Sequence, residues 1–319
     1  MDIPWLERRG IRWCYAPGCN ANSVSEYLVA ALLCLAHRHG FRLEGKTLGV
    51  VGVGNVGTRV VEKALALGLR VLPNDPPRGR AQGRPQTADG RPQTSFVSLE
   101  RVCEEADIIT FHVPLTAEGP DRTVHMADAE FFRGVKPGVV LVNAARGKVV
   151  DTDALLAAMD AGRVAHAVID TWEGEPAYRA DLLDRVALGT PHIAGHSFEG
   201  KVAGTLMVYR EACRFLGVEP TWTPDALLPP PLVPELTVDA AGRSDESVLR
   251  ELVRPVYDIE ADDRRLRESC VPDAPARAAV FDRLRKTYPM RREFRFTRVT
   301  VRNGTPGLER KVRGLGFGY

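Results

Sequence analysis

Three polar residues stand at the ends of otherwise apolar segments: Arg146 in NAARGKVVD, Glu175 in DTWEGEP and His192 in TPHIAG. Their types suit the oxidation of an alcohol beside a carboxylate. An imidazole can take the hydroxyl proton while hydride leaves carbon. A carboxylate can orient that imidazole and stabilise its cation. A guanidinium can grip the substrate carboxylate through two parallel hydrogen bonds and polarise the nascent carbonyl. Each also has an ordinary reading. A histidine after Thr-Pro is commonly a satisfied turn residue, a glutamate before proline commonly faces solvent, and an arginine before glycine can simply follow a strand. Their appearance in this order, downstream of a glycine-rich loop, shifts the balance toward chemistry.

That loop, Gly52-Val53-Gly54-Asn55-Val56-Gly57, fits G-x-G-x-x-G between an apolar strand pattern and a helical one. Gly52 permits a tight turn, Gly54 admits a pyrophosphate close to the backbone, and Gly57 lets helix and strand pack closely. The N–H groups and dipole of the following helix then face the phosphates. Asp75, at the end of the next strand pattern, suits ribose hydroxyls and repels a 2′-phosphate, which favours NAD over NADP. Before Pro76-Pro77 it also reads as a plain turn residue, and Arg78 and Arg80 weaken the preference. Asp170 ends its own strand pattern and is a candidate partner for the cofactor's carboxamide.

Short apolar runs alternate with helical patterns and would position these groups. The runs TLGVVG (47–52), LRVLP (69–73), DIITF (107–111), GVVLVN (138–143), VAHAVID (164–170) and RVALGT (185–190) predict strands. Amphipathic segments such as TRVVEKALALG lie between them. Strands apolar throughout are expected where helices cover both faces, so the class is α/β with a doubly wound, mostly parallel sheet. A helix is predicted over 22–39, with Ser23 and Glu26 as a capping box and Gly40 as its stop. The tandem words GRPQT at 83–87 and 90–94 read as a surface insertion. Residues 217–250, with six prolines, read as a linker, and 251–319 as a small α+β appendage near the lower size limit for folding alone.

Composition narrows the classes. The 319 residues are 44% hydrophobic and 26% charged, as in ordinary globular proteins. The longest apolar run, Leu28 to Ala36, is far too short for a membrane span, and MDIPWLERRG lacks the apolar region of a signal peptide. Six scattered cysteines without a CxxC pair indicate neither a zinc site nor a disulfide framework, so a reducing cytoplasm and no metal are expected. Residues 251–319 carry 16 Lys and Arg against 10 Asp and Glu. Such a segment can be a solvated surface, serve a phosphorylated small molecule or face nucleic acid, but no nucleic-acid motif accompanies it.

The words GVVGVGNVGTRV, FHVPLT, LVNAARGKVVD, DTWEGEP and TPHIAG resemble the D-2-hydroxyacid dehydrogenase family. The resemblance implies a Rossmann-type NAD domain over 22–195 with Arg146, Glu175 and His192 as the catalytic set. It adds Val113, Asn143, Ala144, Ala145 and Gly195 to the cofactor residues. Further words, including HIAGHSFEGKVAGT, VYDIEADDRRLR and FDRLRKTYPMRRE, are similar to a branch with an extra C-terminal domain, acting on a small phosphorylated 2-hydroxy acid. That implies a homodimer joined through 251–319, with no nucleic-acid or membrane partner. It also implies His196 as a substrate contact. Arg291 and Arg292 are then expected to reach a partner subunit's cleft and hold the substrate phosphate.

Three departures qualify the resemblance. Val113 stands where this branch usually has Thr, and His196 where it usually has Tyr. Residues 1–21 are similar only to the end of a flavodoxin-like substrate domain, and 196–216 to the helix that returns to it. Without the first half of that domain a cleft cannot close over its substrate, so NAD binding with poor turnover is expected. The alternative function is a non-catalytic, NAD-sensing, corepressor-like binding protein.

Overall fold

The computed structural model describes residues 2–81, 95–224 and 228–319; the GRPQT words lie outside the described residues. Chain order begins α1 (Ile3–Arg8), α2 (Ala21–His39), β1 (Thr47–Val51), α3 (Asn55–Ala66), β2 (Arg70–Asn74), α4 (Pro76–Ala81), α5 (Leu99–Glu105) and β3 (Ile108–Phe111). It continues through α6 (Ala129–Gly134), β4 (Val139–Asn143), α7 (Thr152–Asp160), β5 (Val164–Ile169), α8 (Ala180–Arg185), β6 (Leu188–Gly189) and α9 (Phe198–Leu216). The last part holds β7 (Glu235–Asp239), α10 (Asp245–Val256), α11 (Ile259–Glu268), α12 (Ala274–Lys286), β8 (Arg298–Arg302) and α13 (Pro306–Leu315).

Strands β1 to β6 form one parallel sheet in the order β2-β1-β3-β4-β5-β6. Every residue of β1, β3 and β4 is buried, which accounts for their unbroken apolar sequences. Because all six strands run the same way, their carboxyl ends gather the loops of Gly52, His112, Arg146, Asp170 and His192 along one edge, where ligands bind in open α/β sheets. The last strand is much shorter than expected. Residues 180–185 are helical, and only Leu188–Gly189 is strand.

Helix α2 is buried all round because helices surround it. Its Val24–Ala36 stretch shares one core with Val60 of α3, Val248, Leu249, Leu252 and Val253 of α10, and Leu308, Val312 and Leu315 of α13. At about 1.5–3 kcal/mol for each fully buried aliphatic side chain, this joint is a large share of the fold's stabilisation. The expected capping box is absent. The cap is Asn20, and Ser23 and Glu26 are instead the floor of a tertiary junction. Ser23 Oγ lies 2.5 Å from Ser197 Oγ. Glu26 accepts from Asn22 Nδ2 (3.0 Å), Phe294 N (2.9 Å) and Arg291 Nη1 (2.8 Å).

The proline-rich stretch is more structured than a linker. Within 217–250 lie β7 and the start of α10, capped by the Ser244 hydroxyl. β7 pairs in parallel with β8, from Glu235 opposite Arg298 to Asp239 opposite Arg302. The segment 251–319 is no loose appendage either, since its apolar faces pack onto α2 and α3 of its own chain.

Arg291 and Arg292 are both 6% exposed, which corrects the expectation that they reach outward. Arg291 pairs with Glu26, and its guanidinium lies 4.2 Å from the Tyr257 ring centroid. Arg292 pairs with Glu199, whose other oxygen accepts from Glu293 N at 2.9 Å. Each cation is already neutralised inside the core. Breaking such a pair leaves a buried charge, so Arg291→Met is expected to cost about 3–5 kcal/mol in urea unfolding. The double variant Glu26→Gln/Arg291→Met should recover a large part of that loss.

Candidate active site

Each element end contributes one part of the site. The chain leaves β1 through Gly52, whose φ of +89° belongs to the left-handed region. α3 begins immediately afterwards with Gly54 as its cap and no side-chain capping bond, so its first-turn N–H groups are free of one. A Cβ on Gly57 would fall 2.0 Å from Gly52 O, so only glycine lets α3 start this close to the turn. Asp75 braces the loop, accepting from Val53 N (2.8 Å) and Arg78 N (3.0 Å).

At the end of β4, Asn143 folds its amide back into the turn. It donates to Arg146 O at 3.1 Å and accepts from Ala145 N at 3.2 Å. Asn143 therefore shapes the loop from behind, while Arg146 is exposed at its tip.

The β5 and β6 ends are joined through Asp170, which is 1% exposed. Its carboxylate accepts from Thr190 Oγ1 (2.7 Å), Ile193 N (2.7 Å) and Ala194 N (3.0 Å). Burial nevertheless raises its pKa against these bonds and the nearby His192. The bonds hold His192 at φ +54°, a conformation that non-glycine residues rarely adopt. His192 Nδ1 donates to Glu175 Oε1 at 2.6 Å, and Glu175 Oε2 accepts from Trp172 N at 3.0 Å. Burial works to raise the Glu175 pKa, but the hydrogen bond and charge of His192 outweigh it, and the net shift is downward. Glu175 therefore remains a carboxylate at pH values below the usual glutamate range.

These loops enclose a cleft of about 880 Å³, counted open to solvent. Of the residues expected in the site, Val56, Val113, Ala144, Ala145, Arg146, Asp170, His192, Gly195 and His196 line it. Glu175 stands behind His192 and Asn143 behind Arg146, whereas Arg291 and Arg292 are not in its walls. Four lining residues were not anticipated: Asn20, Val24, Ala194 and Arg285. Arg285 comes from the last turn of α12, where a basic residue ordinarily signals only a helix end.

Two neutral imidazoles complete the walls. Burial lowers the pKa of His112 to about 3. Burial, followed by the charges of Lys201 and Arg285, lowers that of His196 to about 4. The Nδ1 atoms of both are buried and lack a hydrogen-bond partner among the described residues. Such atoms suit a bound polar molecule, as the uncapped start of α3 suits an anion. The residues present thus fit a dinucleotide.

The family model "D-isomer specific 2-hydroxyacid dehydrogenase, NAD binding domain" matches residues 34–194. The erythronate-4-phosphate dehydrogenase of Edwardsiella ictaluri is 48% identical over 92% of this chain and 74% of its own length. The chain belongs to the D-isomer specific 2-hydroxyacid dehydrogenase family. Its Escherichia coli relative of the same description is 44% identical over the same shares. A second model, for a domain of unknown function, matches residues 227–316, so that unit includes β7 and α10. Among solved structures, the NAD-dependent formate dehydrogenase of Staphylococcus aureus in complex with NAD matches at a TM-score of 0.54. It is 27% identical, covering 69% of this chain and 70% of that one. The Aquifex aeolicus D-lactate dehydrogenase complexed with NAD and lactic acid gives 0.53, at 28% identity over 68% and 73%.

This family member is an NAD-dependent oxidoreductase. No helix among the described residues is long and apolar enough to cross a membrane. Substituting Gly57→Ala, which drives a methyl group into Gly52 O, is expected to weaken NADH binding at least tenfold by fluorescence titration, since the loop must move to admit it.

Proposed function

We propose that this chain oxidises 4-phosphoerythronate to 3-hydroxy-2-oxo-4-phosphooxybutanoate with NAD, a step toward pyridoxal 5′-phosphate. The observation that carries the reading is the Glu175–His192 pair beside Arg146 in one cleft at the sheet's carboxyl edge. The relatives at 44–48% identity supply the substrate.

Bound NAD supplies the hydride acceptor. The first turn of α3, with Gly54, Asn55 and Val56, would hold the pyrophosphate, and Asp75 the ribose hydroxyls. Val113, Ala144, Ala145, Asp170 and Gly195 would receive the nicotinamide end. Arg146 grips the substrate carboxylate and polarises the C2 oxygen as it becomes a carbonyl. Because Nδ1 of His192 is committed to Glu175, Nε2 receives the proton of the C2 hydroxyl. Glu175 stabilises the resulting imidazolium. His196 contacts the substrate through its neutral ring. The chain acts in the cytoplasm as a homodimer joined through 251–319.

The test is NADH formation by the purified chain with 4-phosphoerythronate, with unphosphorylated erythronate and with lactate. The expected order is a clear preference for 4-phosphoerythronate; equal or absent turnover with all three contradicts the reading. Glu175→Gln should lower kcat by roughly 10²–10⁴-fold with little change in NADH affinity.

A further inference from the structure

We propose that Arg285 is the phosphate-recognition residue, and that the C-terminal unit places it in the cleft of its own chain. This rests on the phosphorylated substrate assigned above. Three observations carry it.

First, Arg285 shares the cleft wall with Arg146, His192 and His196, although its helix α12 belongs to the C-terminal unit matched over 227–316. Second, its guanidinium has no ion-pair partner among the described residues, although its charge helps to lower the pKa of Glu175. Arg265, Arg267, Arg291, Arg292 and Arg295 in the same unit each face a carboxylate. The side chain of Arg285 makes no salt bridge or hydrogen bond among the described residues, and its Nε is buried without a partner. A half-buried guanidinium in that condition bears a desolvation cost that an anion in the cleft would offset.

Third, the two cations of the cleft have different origins. Arg146 sits on the β4 loop of the NAD-binding domain, beside the catalytic pair, where the carboxylate next to the reacting carbon belongs. Arg285 lies outside the stretch matched by that domain's model. Solved structures described as lactate, mandelate or formate dehydrogenases cover 67–69% of this chain, whereas relatives described as acting on erythronate 4-phosphate cover 92%. A second anion on the substrate and a second cation on an added unit match in chemistry, and a guanidinium fork suits phosphate oxygens in particular.

The burial of Arg291 and Arg292 gives those residues a different task. They fasten the segment that follows α12 to Glu26 and Glu199, and so hold Arg285 at the cleft.

The experiment measures dead-end complexes, formed with NADH so that no turnover occurs. Calorimetry gives the Kd of 4-phosphoerythronate and of erythronate for the wild type, Arg285→Met and Arg285→Lys. The wild type should bind the phosphorylated acid at least tenfold more tightly. Arg285→Met should weaken that acid about tenfold or more, leave erythronate and NADH within twofold, and so erase the preference; Arg285→Lys should keep part of it. A preference that survives in Arg285→Met, or an equal loss for both acids, overturns the assignment while leaving the substrate reading intact. A wild type that binds the two acids equally overturns the substrate reading and this assignment with it.

Discussion

The buried carboxylate of Asp170 is the constraint on which the site depends. It lies where β5 ends, and it binds two successive backbone amides and a hydroxyl of the loop leaving β6. Those bonds tie two adjacent strand ends together and keep His192 in a left-handed conformation that its side chain disfavours. The tie extends outward, because Tyr27 of α2 hydrogen-bonds Thr190 at 2.8 Å and Trp172 donates its indole N–H to Thr190 O at 2.8 Å. The imidazole is thus fixed by the fold, and Glu175 needs only to fix its tautomer. Rigid placement of this kind is what makes proton transfer efficient when the reacting atoms arrive.

A second tier of buried polar contacts performs the same service for the other side of the cleft. Glu26 on α2 and Glu199 on α9 take the two consecutive arginines of 291–292, while Ser23, Ser197 and Glu293 bond one another between them. Charges so placed add little net stability compared with apolar packing, but they define one arrangement of the partners. Here that arrangement seats the C-terminal unit on α2 and α3 and leaves the end of α12 at the cleft. The Glu175–His192 pair and Arg285 therefore belong to different units held by different networks, and α2 touches both.

Much of this was legible in the sequence, for physical reasons. Buried parallel strands write themselves as apolar runs, so β1 to β5 lie within one residue of the predicted segments at either end. The glycine loop was legible because a tight turn and a close helix approach admit little else. Arg146, Glu175 and His192 stood out as polar residues ending such runs. What failed was whatever depended on contacts distant along the chain. Ser23 and Glu26 have the spacing of a capping box, yet their partners are residues about 170 and 270 positions away. Prolines hid β7 because it pairs with a strand some sixty residues later. Arg291 and Arg292 looked like surface charge because the carboxylates that bury them are on other helices. Arg285 carried no signal, since its role arises only when α12 docks.

If this fixed loop makes His192 the base, replacing its ring must slow the proton transfer without disturbing the cofactor loop. The direct measurement is the single-turnover rate of NADH formation, with NADH affinity measured alongside, for the wild type and for His192→Gln. The variant should be slower by at least about 10²-fold while its NADH affinity is unchanged. A variant with a rate near that of the wild type would contradict the assignment of His192 as the base.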